Sequence, residues 1–324
     1  MSSNSRAEVV PVVMEPHGNA DSLSVVKVYG FTVVVNTEMW KDTPLGIYIT
    51  PDTIVDTTRP EFSFLASDVV GRTKERIKVK KLRGIVSMGL LIPAPEGAKE
   101  GDDYWEELGL ERYEPVVESK DSDCVKGPTS YVPKYDIDNF YRYSRLFKEG
   151  EPLFAQEKLN GENHRMVYID GVQYCGSRNL WKKDTENSKW WKAYREIPGV
   201  KAFCESNPGY VLWGESYGKV GGFPYGGNDW RFAAFDIMRP DGTFVNVEDL
   251  CMTCIHFKIP MAPTIFFNEV IPLEKLPEYA EGKSLLDKSH VREGVVVRPM
   301  QERVDPRLGR VILKIVGNGY YGKA

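Results

Sequence analysis

Lys158 stands at the head of an ordered series of residues able to do phosphoryl chemistry. It lies in Glu157-Lys158-Leu159-Asn160-Gly161, at the end of the strand-like run LFAQEK. Asn163, Ser177-Arg178-Asn179, Gly214-Glu215, Phe235-Asp236, Glu293-Gly294 and Lys314 follow it in that order. A lysine amine can attack phosphorus, and the phosphoramidate it forms is a high-energy P–N bond that a later oxygen nucleophile can cleave. The amine must be neutral to attack, although its ordinary pKa is about 10.4. Burial, a bound cation and a second lysine all disfavour the ammonium form, and Lys314 is the candidate second lysine. Glu215 and Glu293 suit two tasks: accepting sugar hydroxyls, and holding a hard divalent cation, magnesium or manganese, through oxygen.

The nucleophile motif alone carries little. Lys-x-x-Gly occurs five times, at Lys27, Lys81, Lys158, Lys219 and Lys314, and only Lys158 is followed by all the other motifs. Plain structural roles compete at several positions. Phe235, in FAAFDI, fits a core as well as a stacking site. Glu293, between apolar strand segments, is harder to explain without function, because carboxylates are seldom buried unpaired. Gly221-Gly222 and Gly226-Gly227 look like a phosphate cradle but lack the P-loop spacing and its Lys-Ser/Thr end, so a loop between strands is the simpler reading. His164 reads as a surface or packing histidine. The five cysteines (Cys124, Cys175, Cys204, Cys251, Cys254) form an odd, sparse set expected to be reduced. Cys251-Met-Thr-Cys254 has no second pair for zinc; it lies in VEDLCMTCIHFKI, which reads as an amphipathic helix with its thiols in the core.

Strands must position this series. LFAQEKL, HRMVYI, VQYCGS, YVLWGESYG, DWRFAAFDIM, VREGVVVRP and RVILKIV are strand-like, and Asp170-Gly171 between the second and third is a hairpin signal. SKWWKAYREI is helical up to Pro198. Residues 1–120 read as short β-runs punctuated by Pro and Gly, which suggests a small antiparallel barrel. Within them, Arg72 to Arg83 holds seven basic residues against the single acid Glu75. Alternation in RIKVK puts Lys78 and Lys80 on one face of a strand and Ile77 and Val79 on the other. Together with Arg72 and Lys74 these lysines are candidate nucleic-acid contacts, and a solvated strand face is the competing reading. The acidic, Pro-containing stretch from about Gly101 to Lys134 reads as a linker. The expected division is 1–120 barrel, 121–150 linker and domain entry, 151–324 catalytic domain.

Hydrophobic residues make up 42% and charged residues 27% of the chain, which excludes a disordered protein. No apolar run reaches membrane-spanning length and the opening lacks a secretory pattern, so a cytoplasmic location is expected. The net charge of −4 leaves nucleic-acid binding to local patches.

The motif series resembles the covalent nucleotidyltransferases: DNA ligases, RNA ligases and mRNA capping enzymes. The β-rich segment in front, the run from Arg83-Gly84 through Ser87 and Gly89 to Leu91, and the ten residues after Lys314 are similar to one RNA ligase subfamily. In it an N-terminal OB domain precedes the nucleotidyltransferase domain and no C-terminal OB domain follows. The similarity runs from about Ser22 to Tyr321. It implies an α+β fold, an OB-like β-barrel followed by an ATP-grasp-like ligase domain of antiparallel sheets and helices. It implies ATP and magnesium or manganese as cofactors, and RNA with 3′-OH and 5′-phosphate ends, nicked duplex included, as substrate for a monomeric enzyme. By the same resemblance Lys158 carries AMP, Lys314 holds the α-phosphate, Glu215 and Arg178 contact the ribose and Glu293 serves the metal. Phe235 stacks on adenine, Asn163 meets the phosphates, and Glu157 belongs to the nucleotide site. The chain departs from many relatives in having one lysine in the last motif and Asn160 in the first. A DNA ligase, a guanylyltransferase, or an OB-fold binding protein with an inactive catalytic half remain as alternatives.

Overall fold

A computed structural model describes residues 6–67, 69, 71–113, 123–128, 132–218, 223–227, 229–306 and 308–321. The chain divides into two compact units, Asn4–Val117 and Glu118–Ala324 (with Met1–Ser3).

The front unit is built of short antiparallel strands: β1 (Glu8–Pro11), β2 (Met14–Pro16), β3 (Leu23–Val28), β4 (Phe31–Asn36), β5 (Leu45–Ile49), β6 (Thr53–Asp56), β7 (Lys74–Arg76), β8 (Lys80–Leu82), β9 (Ile85–Ser87), β10 (Leu90–Pro93) and β11 (Glu111–Arg112). They pair as β1-β5-β10, β2-β3-β4, β11-β6-β7 and β8-β9. Alternating Val and Ile residues turn inward to two apolar clusters, one around Ile47, Val55 and Phe62, the other around Val26, Val33 and Trp40.

Two expectations need correction in this unit. Arg76–Lys80 is not one strand: β7 stops at Arg76 and β8 begins at Lys80. Ile77 exchanges backbone bonds with Thr53 and Asp52, both 2.8 Å, at the start of β6. Asp52 turns away there with φ 64°, so the segment runs out of ladder partner. Ile77 is buried, but Val79 is 48% exposed rather than sharing its face. The linker reading also fails over 101–113, because Leu108 and Leu110 enter the front core and β11 pairs with β6.

The second unit holds β12 (Cys124–Val125), β13 (Asp138–Asn139), β14 (Leu153–Lys158), β15 (Gly161–Ile169), β16 (Val172–Ser177), β17 (Trp181–Lys182), β18 (Val211–Tyr217), β19 (Arg231–Met238), β20 (Thr264–Glu269), β21 (Gly294–Pro299), β22 (Val304–Asp305), β23 (Gly309–Arg310) and β24 (Leu313–Val316). A six-stranded sheet runs β12-β17-β16-β15-β18-β19 and a five-stranded sheet β13-β24-β21-β14-β20. Pairing is antiparallel except between β13 and β24. Asp170 (φ 51°) and Gly171 (φ 76°) turn β15 into β16 as their sequence predicts.

The helices Lys189–Glu196, Pro198–Ser206 and Val247–Phe257 cover the six-stranded sheet over Met166, Leu212 and Ile237. Pro198 starts the second of these at a position where its missing N–H costs nothing. Phe140, Leu146 and Leu276 cover the five-stranded sheet over Leu153, Val295 and Leu313. The strand faces left over, bearing Val167, Trp213 and Val296, meet Ile312, the residue before β24, in a third cluster between the sheets. The architecture is α+β with mostly antiparallel sheets. All five cysteines are free, and Cys175, Cys204 and Cys254 are buried.

Candidate active site

The strand registers assemble the motif series. Lys158 on β14 lies opposite Gly294 on β21, which brings the preceding Glu293 to the lysine: Lys158 Nζ donates to Glu293 Oε1 at 2.5 Å. Val296 on β21 lies opposite Lys314 on β24. On the other sheet, Asn163 on β15 lies opposite Glu215 on β18. Gly161 is required where it stands, because a Cβ there would come within 2.5 Å of Ser216 O and 2.7 Å of Glu215 Cγ. Between the sheets opens a cavity of about 220 Å³, lined by Gln156, Lys158, Asn163, Arg178, Glu215, Phe235 and Lys314 among others.

A bulge decides how Phe235 and Asp236 are used. The register between β18 and β19 shifts between Trp213 and Gly214, so that Trp213 pairs with Asp236 and Gly214 with Ala234. Phe235 is the extra residue, so Phe235 and Asp236 both face the space between the sheets where simple alternation would separate them, while Ala234 packs under the helices. Phe235 is half-buried on the cavity wall, its ring centroid 5.0 Å from that of Tyr135. Asp236 is fully buried and accepts from Tyr135 Oη (2.5 Å), Arg298 (3.0 Å) and Arg310 (2.8 Å).

The charges in the cavity perturb one another. Burial pulls Lys158 down, but the nearby Glu293 and Glu215 outweigh it and hold its pKa above the ordinary lysine value. Burial pushes Glu215 up to about 8; Lys158 opposes this, and Glu293 and Glu162 add to it. Burial, then the neighbouring Lys158 charge, brings Lys314 down to about 8. Two lysines and two glutamates therefore share one low-dielectric site, an arrangement common where protonation states matter to chemistry.

Other expected residues have distinct settings. Arg178 is held by Asp136 at 2.5 Å, with its Nε buried and without a hydrogen-bond partner. Asn163 Oδ1 is likewise buried and unpartnered. Glu157, although in the cavity wall, turns its carboxylate to the outer face of β14; there Oε2 accepts from Leu285 N–H at 2.7 Å and Oε1 has no partner. Asn160 braces the turn that follows Lys158, its N–H donating to Tyr225 Oη and its side chain to Tyr320 Oη, both 2.7 Å. His164 is a packing residue, fully buried, bonded to Ser216 Oγ at 2.8 Å, and burial depresses its pKa to about 3. Gly221-Gly222 lies outside the described residues; Gly226 and Gly227 occupy the turn before β19.

Sequence reasoning missed Tyr135, Asp136 and Gln156, which line the cavity, and the partners of Asp236. Tyr135 and Asp136 fall in or beside the stretch read as linker, and nothing in its composition marks them.

In the front unit the candidate nucleic-acid contacts separate. Arg72 pairs with Glu75 (2.6 Å) and Lys74 with Glu111 (2.5 Å), whereas Lys78 and Lys80 are exposed without a carboxylate partner among the described residues.

The RNA ligase family model matches residues 151–316, just over half the chain and the whole span from β14 to Lys314. The chain belongs to the RNA ligase family. An OB-fold domain model matches residues 8–94 of this ligase, which makes the front unit an OB-fold domain. No curated protein sequence matches. Among solved structures, a Naegleria gruberi RNA ligase with PPi is 23% identical with TM-score 0.78, covering 99% of this chain and 98% of that one. A mutant of the same enzyme with AMP and Mn gives 22% and 0.78, and another with ATP and Mn 22% and 0.77, each covering 98% of both chains. At this identity the likeness speaks for the fold. The family match favours an RNA ligase over the DNA ligase, guanylyltransferase and inactive-domain alternatives. No described helix is long and apolar enough to cross a membrane.

Proposed function

We propose that this ligase uses ATP to charge Lys158 with AMP and then joins an RNA 3′-OH end to a 5′-phosphate end. The observation that carries the reading is the Lys158–Glu293 contact at 2.5 Å in a cavity also lined by Glu215, Lys314, Phe235 and Arg178. In the first step Lys158 Nζ attacks the α-phosphorus, the P–N bond forms, the α–β phosphoanhydride breaks and pyrophosphate leaves. In the second, an oxygen of the RNA 5′-phosphate attacks the AMP phosphorus and the lysine amine leaves. In the third, the 3′-oxygen attacks the activated 5′-phosphorus and AMP is expelled.

The residues fit these ligands. The unpartnered buried atoms Asn163 Oδ1 and Arg178 Nε suit the hydroxyls and phosphates of a nucleotide, and the Phe235 ring suits the face of a base. For magnesium or manganese, Glu293 already faces a cation, the Lys158 ammonium. No cluster of three or more His, Cys, Asp or Glu ligands occurs among the described residues. That donor set fits a hard dication held by one or two carboxylates, with phosphate oxygens and water completing the shell. Bound at Glu293, the metal would neutralise phosphate charge and oppose the field that keeps Lys158 protonated. Lys314, its pKa drawn down to about 8, still carries a proton at neutral pH and holds the α-phosphate as charge builds.

Every group used here comes from one chain, which suffices for a monomer. The free thiols suit a reducing, cytoplasmic location. The test is to supply ATP or GTP with RNA bearing 3′-OH and 5′-phosphate ends, in nicked duplex and single-stranded form. Joining with ATP and not GTP, through an AMP-capped RNA intermediate, is expected. Joining with GTP, or of DNA strands alone, would overturn the reading.

A further inference from the structure

We propose that Tyr320 and Tyr225 are positioning residues for Lys158: their hydroxyls hold Asn160 and so fix the lysine amine between Glu293 and Glu215. The inference rests on the RNA ligase reading and adds to it how the nucleophile is aimed. Lys158 is the last residue of β14, in the five-stranded sheet, and Gly161 is the first of β15, in the six-stranded sheet. Leu159 and Asn160 alone make the crossing. Their path therefore sets where the lysine, bonded to Glu293 beside one sheet, stands relative to Glu215 on the other. Leu159 is buried against Tyr217, Tyr225 and Ala262. Asn160 belongs to neither ladder; it gives its backbone N–H to Tyr225 Oη and its side-chain amide to Tyr320 Oη, both at 2.7 Å.

The two tyrosines come from different sheets. Tyr225 stands in the turn before β19 of the six-stranded sheet, and Tyr320 in the helical turn Asn318–Tyr321 after β24 of the five-stranded sheet, so Asn160 is tied to both. Both tyrosines are fixed from behind. Tyr225 is 2% exposed and has φ 49°, a left-handed conformation that a bulky residue keeps only where its surroundings over-determine it. Its ring stands edge-on to Tyr217 (5.4 Å) and His290 (4.7 Å). The turn that carries Tyr320 is seated on the segment that carries Glu293, because Gly317 N–H donates to Glu293 O at 2.9 Å. The Glu281 carboxylate then accepts from Asn318 N–H (2.7 Å) and Gly319 N–H (3.3 Å), donors that the start of a helical turn leaves open. Phe223 packs against both rings, 5.4 Å from Tyr320 and 6.4 Å from Tyr225 between centroids. Attack on phosphorus needs the amine aligned at about 3–3.5 Å, and a misplacement of about 1 Å can cost about 100-fold in rate.

The test follows two reactions of the full chain: single-turnover AMP attachment from labelled ATP, and joining of an RNA end supplied already capped with AMP. The variants are Tyr320→Phe, Tyr225→Phe, Asn160→Ala and Asn160→Ala/Tyr320→Phe. Each Phe variant keeps the ring and loses only the hydroxyl. At saturating ATP the attachment rate is expected to fall about tenfold or more in both, while the ATP concentration for half-maximal rate changes by less than about twofold. Joining of capped RNA, which does not use the lysine as nucleophile, should stay within about twofold of the unmodified protein. The double variant should be no more than about twofold slower in attachment than Asn160→Ala alone, because the Tyr320 hydroxyl acts through that residue. Tyr194→Phe, which loses a hydroxyl bonded to Glu205 at 2.9 Å, should change neither reaction. Unmodified attachment rates in both Phe variants overturn the proposal. So does an equal loss in the joining of capped RNA, which would make the tyrosines supports of the fold, and so does a double variant whose losses multiply. AMP uptake by the unmodified protein tests the ligase reading separately.

Discussion

Asp236 on β19 accepts a hydrogen bond from Arg298 on β21 at 3.0 Å, joining the two sheets of the catalytic unit by a fully buried ion pair. Arg310, at 2.8 Å, and Tyr135 Oη, at 2.5 Å, complete the shell around the carboxylate. Burial alone would raise the Asp236 pKa, but Arg298 and Arg310 outweigh it and hold it below the ordinary value.

Removing one partner strands the others in a dry interior. Asp236→Ala is expected to cost about 3–5 kcal/mol in stability, since two guanidinium groups lose their counter-charge. Urea unfolding of the purified variant measures this. Because the folded pKa is depressed, the contribution is present above the unfolded carboxylate pKa and lost as pH falls through the folded value. A loss under about 1 kcal/mol would show that the sheets are joined by packing alone.

Glu293 is expected to matter to chemistry and little to folding. Glu293→Gln keeps a hydrogen-bonding group beside Lys158 and removes the charge. AMP attachment should fall by about 100-fold or more, while the melting temperature stays close to that of the unmodified protein. Calorimetry beside the labelling assay separates the two effects, and a collapse of melting temperature would make Glu293 a structural residue.

Glu215 gives a pH signature. Its folded pKa of about 8 lies above the ordinary carboxylate value, so between those pH values the folded state binds more protons than the unfolded state. Its contribution to stability therefore falls as pH rises from about 4.5 to about 8, the reverse of a salt-bridged carboxylate. Glu215→Gln should raise the melting temperature more at about pH 8 than at about pH 5. An equal change at both would mean that burial does not control this group.

Most of the strand order was legible in the sequence, because LFAQEK, VQYCGS and FAAFDIM carry apolar faces bounded by turn residues. The meeting of Lys158, Glu215 and Glu293 was legible for a related reason: polar groups interrupt those runs where a core would exclude them. The partners of Asp236 were not, since Arg298 and Arg310 look like ordinary strand and turn residues until the sheets face each other. The β18–β19 bulge was equally hidden, because one inserted residue leaves no composition signal. In the front unit, alternation misread Val79, whose ladder partner turns away at Asp52. Local pattern gives the faces of strands, and only tertiary pairing gives what crosses between them.

Lys158 as the carrier of the nucleotide is open to direct measurement. The protein is incubated with ATP labelled at the α-phosphate and a divalent metal, followed by acid-stable recovery of the label and peptide mapping. The label should be found on the peptide containing Lys158 and should be absent from Lys158→Ala, while that variant still joins an RNA end supplied already capped with AMP. Label on another residue, or full labelling of Lys158→Ala, would contradict the account.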